Sequence, residues 1–149
     1  MQYILAKLTQ YVDEEAYGSI GTHTDLSNYI NPKVTIEHIL PQKFNKLKTS
    51  FDKPEEIENY IQRLGNLTLL EESINKSIKH QPFEYKINAY KSSKFLITKS
   101  IAEPIKIGIN TAVDRAVKEL KDFDVWDSKS IEYRQEILTK LAKKVWNII

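Results

Sequence analysis

The sequence predicts a mainly α-helical fold with one small β-hairpin near the middle of the chain. Apolar residues recur at helical spacing over 3–12 and again over 131–148, which is typical of amphipathic helices. Two short apolar segments, at 34–36 and 67–70, are too short for such helices and favour strands. No internal repeat is visible, so we expect the 149 residues to form a single domain.

In the first half of the chain, the positions of proline and of polar residues predict where the elements begin and end. Pro32 and Pro41 bound the β-branched segment Val34-Thr35-Ile36, and proline donates no ladder hydrogen bond. Pro54 and the acidic residues after it suit the first turn of a helix. The predicted order is a helix over 3–12, a polar loop over 18–32, a strand over 34–36, a basic loop over 43–50 and a helix over 52–63.

The second half of the chain is predicted to contain a turn, a strand and several helices. Gly65 and Asn66 indicate a turn before the apolar strand, and Ser73 could cap the next helix. The predicted elements are a turn and strand over 65–70, a helix from Ser73 toward Lys79, a helix from Phe83 through Tyr90, and two amphipathic helices with stripes over 109–120 and 131–148.

Composition excludes several classes of protein. The hydrophobic fraction of 41% and charged fraction of 28% are ordinary for a soluble globular chain. No apolar run approaches the roughly 18–20 residues that cross a bilayer, and the first residues lack the layout of a signal peptide. The chain has no cysteine, which excludes disulfides, zinc knuckles and a thiol nucleophile. We therefore expect a cytoplasmic protein without a membrane partner.

Lysines are concentrated in one part of the chain. The net charge is only +2, but residues 76–106 contain seven lysines against two glutamates. Such an excess can attract a phosphate backbone. A solvated helical face explains the same pattern equally well, so the lysines gain meaning only beside a catalytic site.

Glu37 and His38 are the first candidates for chemistry. A carboxylate beside an imidazole supplies one hard oxygen ligand for a divalent cation and one group that takes a proton near neutral pH. Successive strand residues point to opposite faces, so the two share a site only where the strand ends, and Pro41 predicts an early end. By itself, Glu37-His38 is a weak indication of an active site, because two adjacent polar residues at the surface would look the same in the sequence.

Asn66 and Asn75 give the pair its significance. They lie nine residues apart, before the second strand and on the helix after it. Together with Glu37-His38-Ile39-Leu40-Pro41, this spacing resembles the HNH endonucleases, in which Asp/Glu-His-Ile-x-Pro precedes Asn-Leu-x-Leu-Leu and a His or Asn nine residues after that Asn. The strand, strand and helix over 34–79 also have the layout that a ββα-metal (HNH) core requires.

A closer resemblance is to the C-terminal HNH-type domain of GmrSD-like modification-dependent restriction enzymes, and it covers nearly the whole chain. The matching segments are 37–42, 64–70, Asn75, Pro82-Phe83-x-x-Lys86 with Tyr90, and 126–146. The chain has Glu at position 37 where the wider HNH pattern commonly has Asp, and Asn at 75 where it has His. These departures leave metal affinity and coordination geometry open.

The resemblance implies roles for four residues. His38 is expected to be the general base that takes a proton from the attacking water. Glu37 and Asn75 are expected to hold one divalent metal ion, which would bridge a phosphate oxygen and the leaving 3′ oxygen. Oxygen ligands without sulfur favour Mg²⁺, with Mn²⁺ as the alternative. Asn66 is expected to tie the loop that holds the His38 ring.

Other residues have less specific assignments. Lys76, Lys79 and Lys86 are predicted to contact the DNA backbone, although Lys86 could instead pair with a carboxylate. Asn66 could be a simple turn residue and Asn75 a helix-surface residue. His80 is expected at the surface. Packing is favoured over base stacking for the aromatic residues Phe83, Tyr85, Tyr90, Trp126 and Trp146.

We therefore expect a metal-dependent endonuclease domain that cuts or nicks DNA in restriction or phage defence. Its ββα-metal core is expected over about 34–80, with a helical surround over 1–17 and 83–149. The resemblance implies that the chain is the C-terminal part of a longer protein, whose separate N-terminal domain handles nucleotide and target recognition. No Walker-type phosphate loop occurs in the sequence.

Two other functions remain open at this point. One is a DNA-binding module that keeps the HNH fold but has weak catalysis. The other is a helical protein-interaction domain, for which Glu37, His38 and Asn75 would lie scattered over the fold.

Overall fold

The computed structural model describes residues 1–18, 24–45, 49–106 and 111–149. Its helices surround one antiparallel hairpin, which confirms the predicted fold class of a mainly helical chain with a small two-stranded sheet. The elements are α1 (Gln2–Tyr17), β1 (Val34–His38), α2 (Ile57–Ile61), β2 (Leu67–Glu71), α3 (Glu72–Ile78), α4 (Phe83–Lys91), α5 (Leu96–Ala102), α6 (Ala112–Val117) and α7 (Ser128–Val145), with 3₁₀ turns at Leu26–Asn28, Pro54–Glu56 and Leu64–Asn66.

The hairpin lies between two packed regions. Its register pairs Val34 with Glu71 at one end and His38 with Leu67 at the other. Val34, Leu67 and Leu69 pack with the apolar stripes of α1, α5, α6 and α7. Leu70, from the other side of β2, packs with α3 and α4. The hairpin is therefore buried on both sides, which explains why β2 is a nearly continuous apolar run.

Several boundaries differ from those expected. Helix α1 is longer than 3–12, and β1 continues past Ile36 through His38. Helix α6 begins at Ala112, while Ile109 lies outside the described residues, as do His23 in the first loop and residues 46–48 of the basic loop. None of the described helices is both long and apolar enough to span a membrane.

Helix α5 departs from the predicted order of elements, because its sequence mixes β-branched and hydroxyl residues. Its polar side chains are nevertheless satisfied where they are buried. Thr98 Oγ1 donates to the carbonyl of Leu69 at 2.6 Å, and Ser100 Oγ donates to the carbonyl of Ile97 at 3.0 Å. Tertiary contact with β2 therefore overrides the weak helix propensity of this segment.

Gly65 brings the turn before β2 against the backbone of α7. A Cβ built on Gly65 would collide with the carbonyl oxygen of Ile131 and would lie 2.9 Å from the Gln135 nitrogen. Gly65 N–H donates to Gln135 Oε1, and the buried Arg134 guanidinium donates to the carbonyls of Gly65 and Leu67 at 3.0 and 2.6 Å. Glycine is required here by close backbone approach.

Replacing Gly65 with alanine should destabilise the fold by about 3 kcal/mol, because the new methyl group displaces α7 from β2. Urea unfolding followed by tryptophan fluorescence measures the change. Thr139→Ala is the matched control, since Thr139 is exposed on α7 and, among the described residues, its hydroxyl bonds only to Gln135 O of the same helix. A Gly65→Ala chain as stable as the control would contradict this account of the turn.

Candidate active site

The end of β1 places the candidate residues by simple strand alternation. Thr35 and Glu37 lie on one side of β1, opposite Leu70 and Thr68, while His38 is the last strand residue and lies opposite Leu67. Glu37 and His38 therefore leave the strand in different directions. They belong to one site only because β1 ends at His38.

Glu37 is 3% exposed, and its buried oxygen has two donors. Oε1 accepts from Lys86 Nζ at 2.6 Å and from the Tyr90 hydroxyl at 2.8 Å. Oε2 accepts no hydrogen bond from the described residues, yet it is not among their fully buried polar atoms without a partner. One carboxylate oxygen of Glu37 is thus held in the core, and the other has no hydrogen-bond partner among the described residues.

Lys86 lies away from the surface on which the sequence analysis placed it. The prediction that it contacts the DNA backbone is wrong for this structure, because its side chain is 0% exposed. Besides Glu37, Nζ donates to the carbonyls of His38 and Ile39 at 2.8 and 3.2 Å. Burial lowers the pKa of Lys86, and the charge and hydrogen bond of Glu37 oppose that shift. The alternative, pairing with a carboxylate, is the arrangement observed.

His38 is half-buried, and its ring has one side-chain partner. Nε2 lies 3.3 Å from Gln62 Oε1 at the end of α2. An amide oxygen only accepts, so in this arrangement Nε2 carries the proton and Nδ1 keeps its lone pair. Burial lowers the pKa of His38, the Gln62 bond and the Glu37 charge raise it, and the Lys86 charge lowers it. A lowered pKa keeps the imidazole neutral near pH 7.

Asn66 fixes the turn that follows His38 rather than the ring itself. Its Nδ2 donates to the carbonyls of Leu40 and Ile61 at 3.0 and 2.9 Å, and its Oδ1 accepts from Leu40 N–H at 2.7 Å. Trp126 Nε1 also donates to that oxygen at 2.9 Å. Asn66 is completely buried, so the backbone two residues beyond His38 is held by a fully satisfied amide.

Asn75 extends from α3 to the side of β1 that carries Glu37. Its Nδ2 donates to Thr35 Oγ1 at 2.9 Å and lies 3.4 Å from the Ile36 carbonyl. These bonds use the amide nitrogen and leave Oδ1 without a hydrogen bond from the described residues. The structure therefore places Asn75 beside Thr35, on the side of β1 that carries Glu37 two residues later. His38 ends that strand, and Asn66 secures the turn that follows it.

Two oxygen atoms on this side of β1 accept no hydrogen bond from the described residues, and their chemistry suits a hard divalent cation. Glu37 Oε2 is a carboxylate oxygen and Asn75 Oδ1 is an amide oxygen, and both are ligand types that Mg²⁺ and Mn²⁺ accept. Among the described residues, no group of three or more His, Asp or Glu side chains could hold a metal ion. A cation here would therefore have few protein ligands and would need water or substrate oxygens to complete its shell.

Lys76 and Lys79, unlike Lys86, are exposed. Lys76 is 73% exposed and pairs with Glu72 on the same helix at 2.6 Å, an interaction of little energetic value at the surface. Lys79 ends α3 with φ +46°, a backbone conformation that non-glycine residues rarely adopt. Lys76 lies on α3 and Lys79 directly after it, so both exposed side chains follow Asn75 along the chain.

Sequence reasoning missed the roles of three residues in this arrangement. Tyr90 is assigned by its sequence only to the core, although its position four residues after Lys86 predicts that both side chains lie on one side of α4. Trp126 is predicted only to pack, although it also bonds Asn66. Gln62 carries no signal in the sequence, because glutamine at a helix end is ordinary.

The comparisons with known proteins point to one family. The model of the family described as GmrSD restriction endonucleases, C-terminal domain, matches residues 1–141. A search of curated proteins finds no match. A search of solved structures finds none either.

The His38 imidazole should titrate below the value of about 6.5 that an unperturbed histidine shows, because burial disfavours its charged form. Gln62→Leu should lower that pKa further, since the hydrogen bond it removes favours the charged ring. NMR of ¹⁵N-labelled histidine gives both the pKa and the tautomer.

The control for this titration is Gln81→Leu, which replaces an exposed glutamine after α3. A His38 pKa above 6.5 in the unchanged chain, or a rise in Gln62→Leu, would sink this account of the ring.

Proposed function

The chain belongs to the family of C-terminal domains of GmrSD restriction endonucleases, and from this we propose that it is an HNH endonuclease that hydrolyses DNA phosphodiester bonds with a divalent cation. The family relates the chain to restriction endonucleases and to defence against phage. The observation that carries the finer proposal is that Glu37 Oε2 and Asn75 Oδ1, on one side of β1, accept no hydrogen bond from the described residues, while His38 ends the same strand.

His38 is the proposed general base. With Nε2 directed to Gln62, Nδ1 takes the proton from the water that attacks the scissile phosphorus. Because burial lowers the pKa of His38, its imidazole is unprotonated at neutral pH and can accept a proton. Lys86 restrains the backbone at His38 through its carbonyl, and Asn66 restrains the backbone that follows through Leu40.

Glu37 Oε2 and Asn75 Oδ1 are the proposed protein ligands of the cation. A bound divalent ion supplies Lewis-acid stabilisation of the charge that develops at the phosphate. Asn75 is fixed by Thr35, and Glu37 by Lys86 and Tyr90, so both ligands are held before substrate arrives.

Two further parts of the proposal concern the DNA and its selection. Lys76 and Lys79 are proposed to neutralise backbone phosphates beside the site. Choice of target and nucleotide handling are proposed to reside in a separate N-terminal domain of the full protein.

His38→Ala should lower the rate of plasmid cleavage by about 10²–10⁴-fold, which is the usual contribution of a positioned general base. Agarose gels of supercoiled plasmid with Mg²⁺, Mn²⁺ or EDTA give the rates of nicking and linearisation, and EDTA should abolish both.

His80→Ala, which removes an exposed histidine, should cut like the unchanged chain. Cleavage that persists in EDTA, or a His38→Ala chain that cuts at the unaltered rate, would rule out the nuclease mechanism. DNA binding without any cleavage would instead support the binding-module alternative.

The double change Lys76→Gln and Lys79→Gln should weaken DNA binding and reduce the slope of log K against log [salt] by about 2, because each phosphate that is no longer neutralised retains close to one counterion. Fluorescence anisotropy of a labelled duplex over a salt series measures the slope. Lys140→Gln with Lys143→Gln, two exposed lysines on α7, is the control. An equal change in slope for both pairs would show a general charge effect and not binding beside the site.

A further inference from the structure

Lys86 and Tyr90 both donate to the same oxygen of Glu37. The ammonium lies 2.6 Å and the hydroxyl 2.8 Å from Oε1. All three side chains are at most 3% exposed. With Oε1 occupied by two donors on α4, only Oε2 remains for another partner, so Glu37 can offer a cation a single oxygen.

The charges at this site nearly cancel. Glu37 carries one negative charge, Lys86 one positive charge, and the Asn75 amide none. No cluster of three or more acidic or histidine side chains adds to them in the part of the chain that the structure describes. A divalent cation at Oε2 would face a ligand set with a net charge near zero and a buried ammonium on the far side of the same carboxylate.

Resting on the proposed function, we infer that Lys86 makes uptake of the divalent ion depend on DNA, so that the site binds the ion tightly only when a backbone phosphate lies beside Glu37. The buried ammonium repels the ion across the carboxylate, and burial weakens the screening of that repulsion by solvent. A phosphate restores the missing negative charge and supplies a second anionic oxygen. Without DNA, the site keeps its shape but holds the ion weakly.

Lys86 is a positioning residue in this scheme and not a catalytic one. Through the carbonyls of His38 and Ile39 it fixes the end of β1, and through Glu37 it fixes the ligand. Its positive charge therefore has two effects that can be separated. Loss of positioning should weaken ion binding, whereas loss of the charge should strengthen it.

The test measures Mn²⁺ affinity by electron paramagnetic resonance, first with the chain alone and then with a saturating short DNA duplex. Every chain carries His38→Ala in both arms, so that the duplex remains intact and the two arms differ only in the DNA. Lys86→Gln keeps a donor toward Glu37 but removes the charge. Lys86→Arg keeps the charge, and Tyr90→Phe removes one donor while the charge remains.

DNA should tighten Mn²⁺ binding to the otherwise unchanged chain by at least about tenfold, as expected when a phosphate charge is added within a few ångströms. Lys86→Gln should bind Mn²⁺ without DNA at least about tenfold more tightly than the unchanged chain, with a smaller gain from DNA. Lys86→Arg and Tyr90→Phe should bind Mn²⁺ without DNA no more tightly than the unchanged chain. A purely structural role for Lys86 would not raise ion affinity in any variant.

Equal Mn²⁺ affinity with and without DNA in the chain that carries only His38→Ala would overturn the inference. So would a folded Lys86→Gln chain, checked by circular dichroism, that binds the ion no more tightly than the unchanged one. If Lys86→Gln does not fold, the comparison with and without DNA decides alone. Plasmid cleavage tests the proposed function separately, because the Lys86→Gln comparison without DNA requires no catalysis.

Discussion

Helix α7 meets the 3₁₀ turn at Leu64–Asn66 with almost no space between their backbones, and the remainder of the site is built on that contact. Gly65 allows the approach, and the Arg134 guanidinium crosses it to bind carbonyls on both sides of Asn66. Burial lowers the pKa of Arg134 to about 10, and among the described residues no carboxylate pairs with it. Its positive charge is instead dispersed over backbone carbonyl dipoles. The turn is fixed in this way, so the Asn66 amide is correctly aimed at Leu40, and the end of β1 is held in register with β2.

Burial of the Glu37–Lys86 ion pair costs free energy, which indicates that the pair has a role other than stabilising the fold. Removing a carboxylate and an ammonium from water costs several kcal/mol for each ion, which a single close contact seldom offsets in full. Here the remaining donors of Lys86 bind two carbonyls, and the remaining capacity of Oε1 is taken by Tyr90. An apolar pair would fill the same space with a smaller loss of hydration. The charged pair therefore contributes less to stability than to the position of the Glu37 carboxylate and to the local charge at the end of β1.

Sequence reasoning captures what depends on local pattern and fails where the partner is distant. The hairpin, its order with α3, and the terminal helices follow from periodicity and proline placement, and the positions of Glu37, His38, Asn66 and Asn75 follow from motif spacing. Lys86 is misplaced because nothing nearby distinguishes a buried lysine from an exposed one, and its partner lies 49 residues away. Helix α5 escapes prediction because the buried hydroxyl of Thr98 is satisfied by a carbonyl of β2, which is distant in sequence. Gln62 is recognisable only in the folded chain.

The turn before β2 is held by residues that come much later in the sequence, namely Trp126, Arg134 and Gln135, and this affects the order in which the site forms during synthesis. The ribosome releases residues 37–75 well before it releases the segment that carries Trp126 and α7, which hold Asn66 and Gly65 in place. Gly65 and Asn66 thus emerge while the residues that hold them are still missing. The turn that follows His38 therefore reaches the arrangement described above only after α7 has been synthesised.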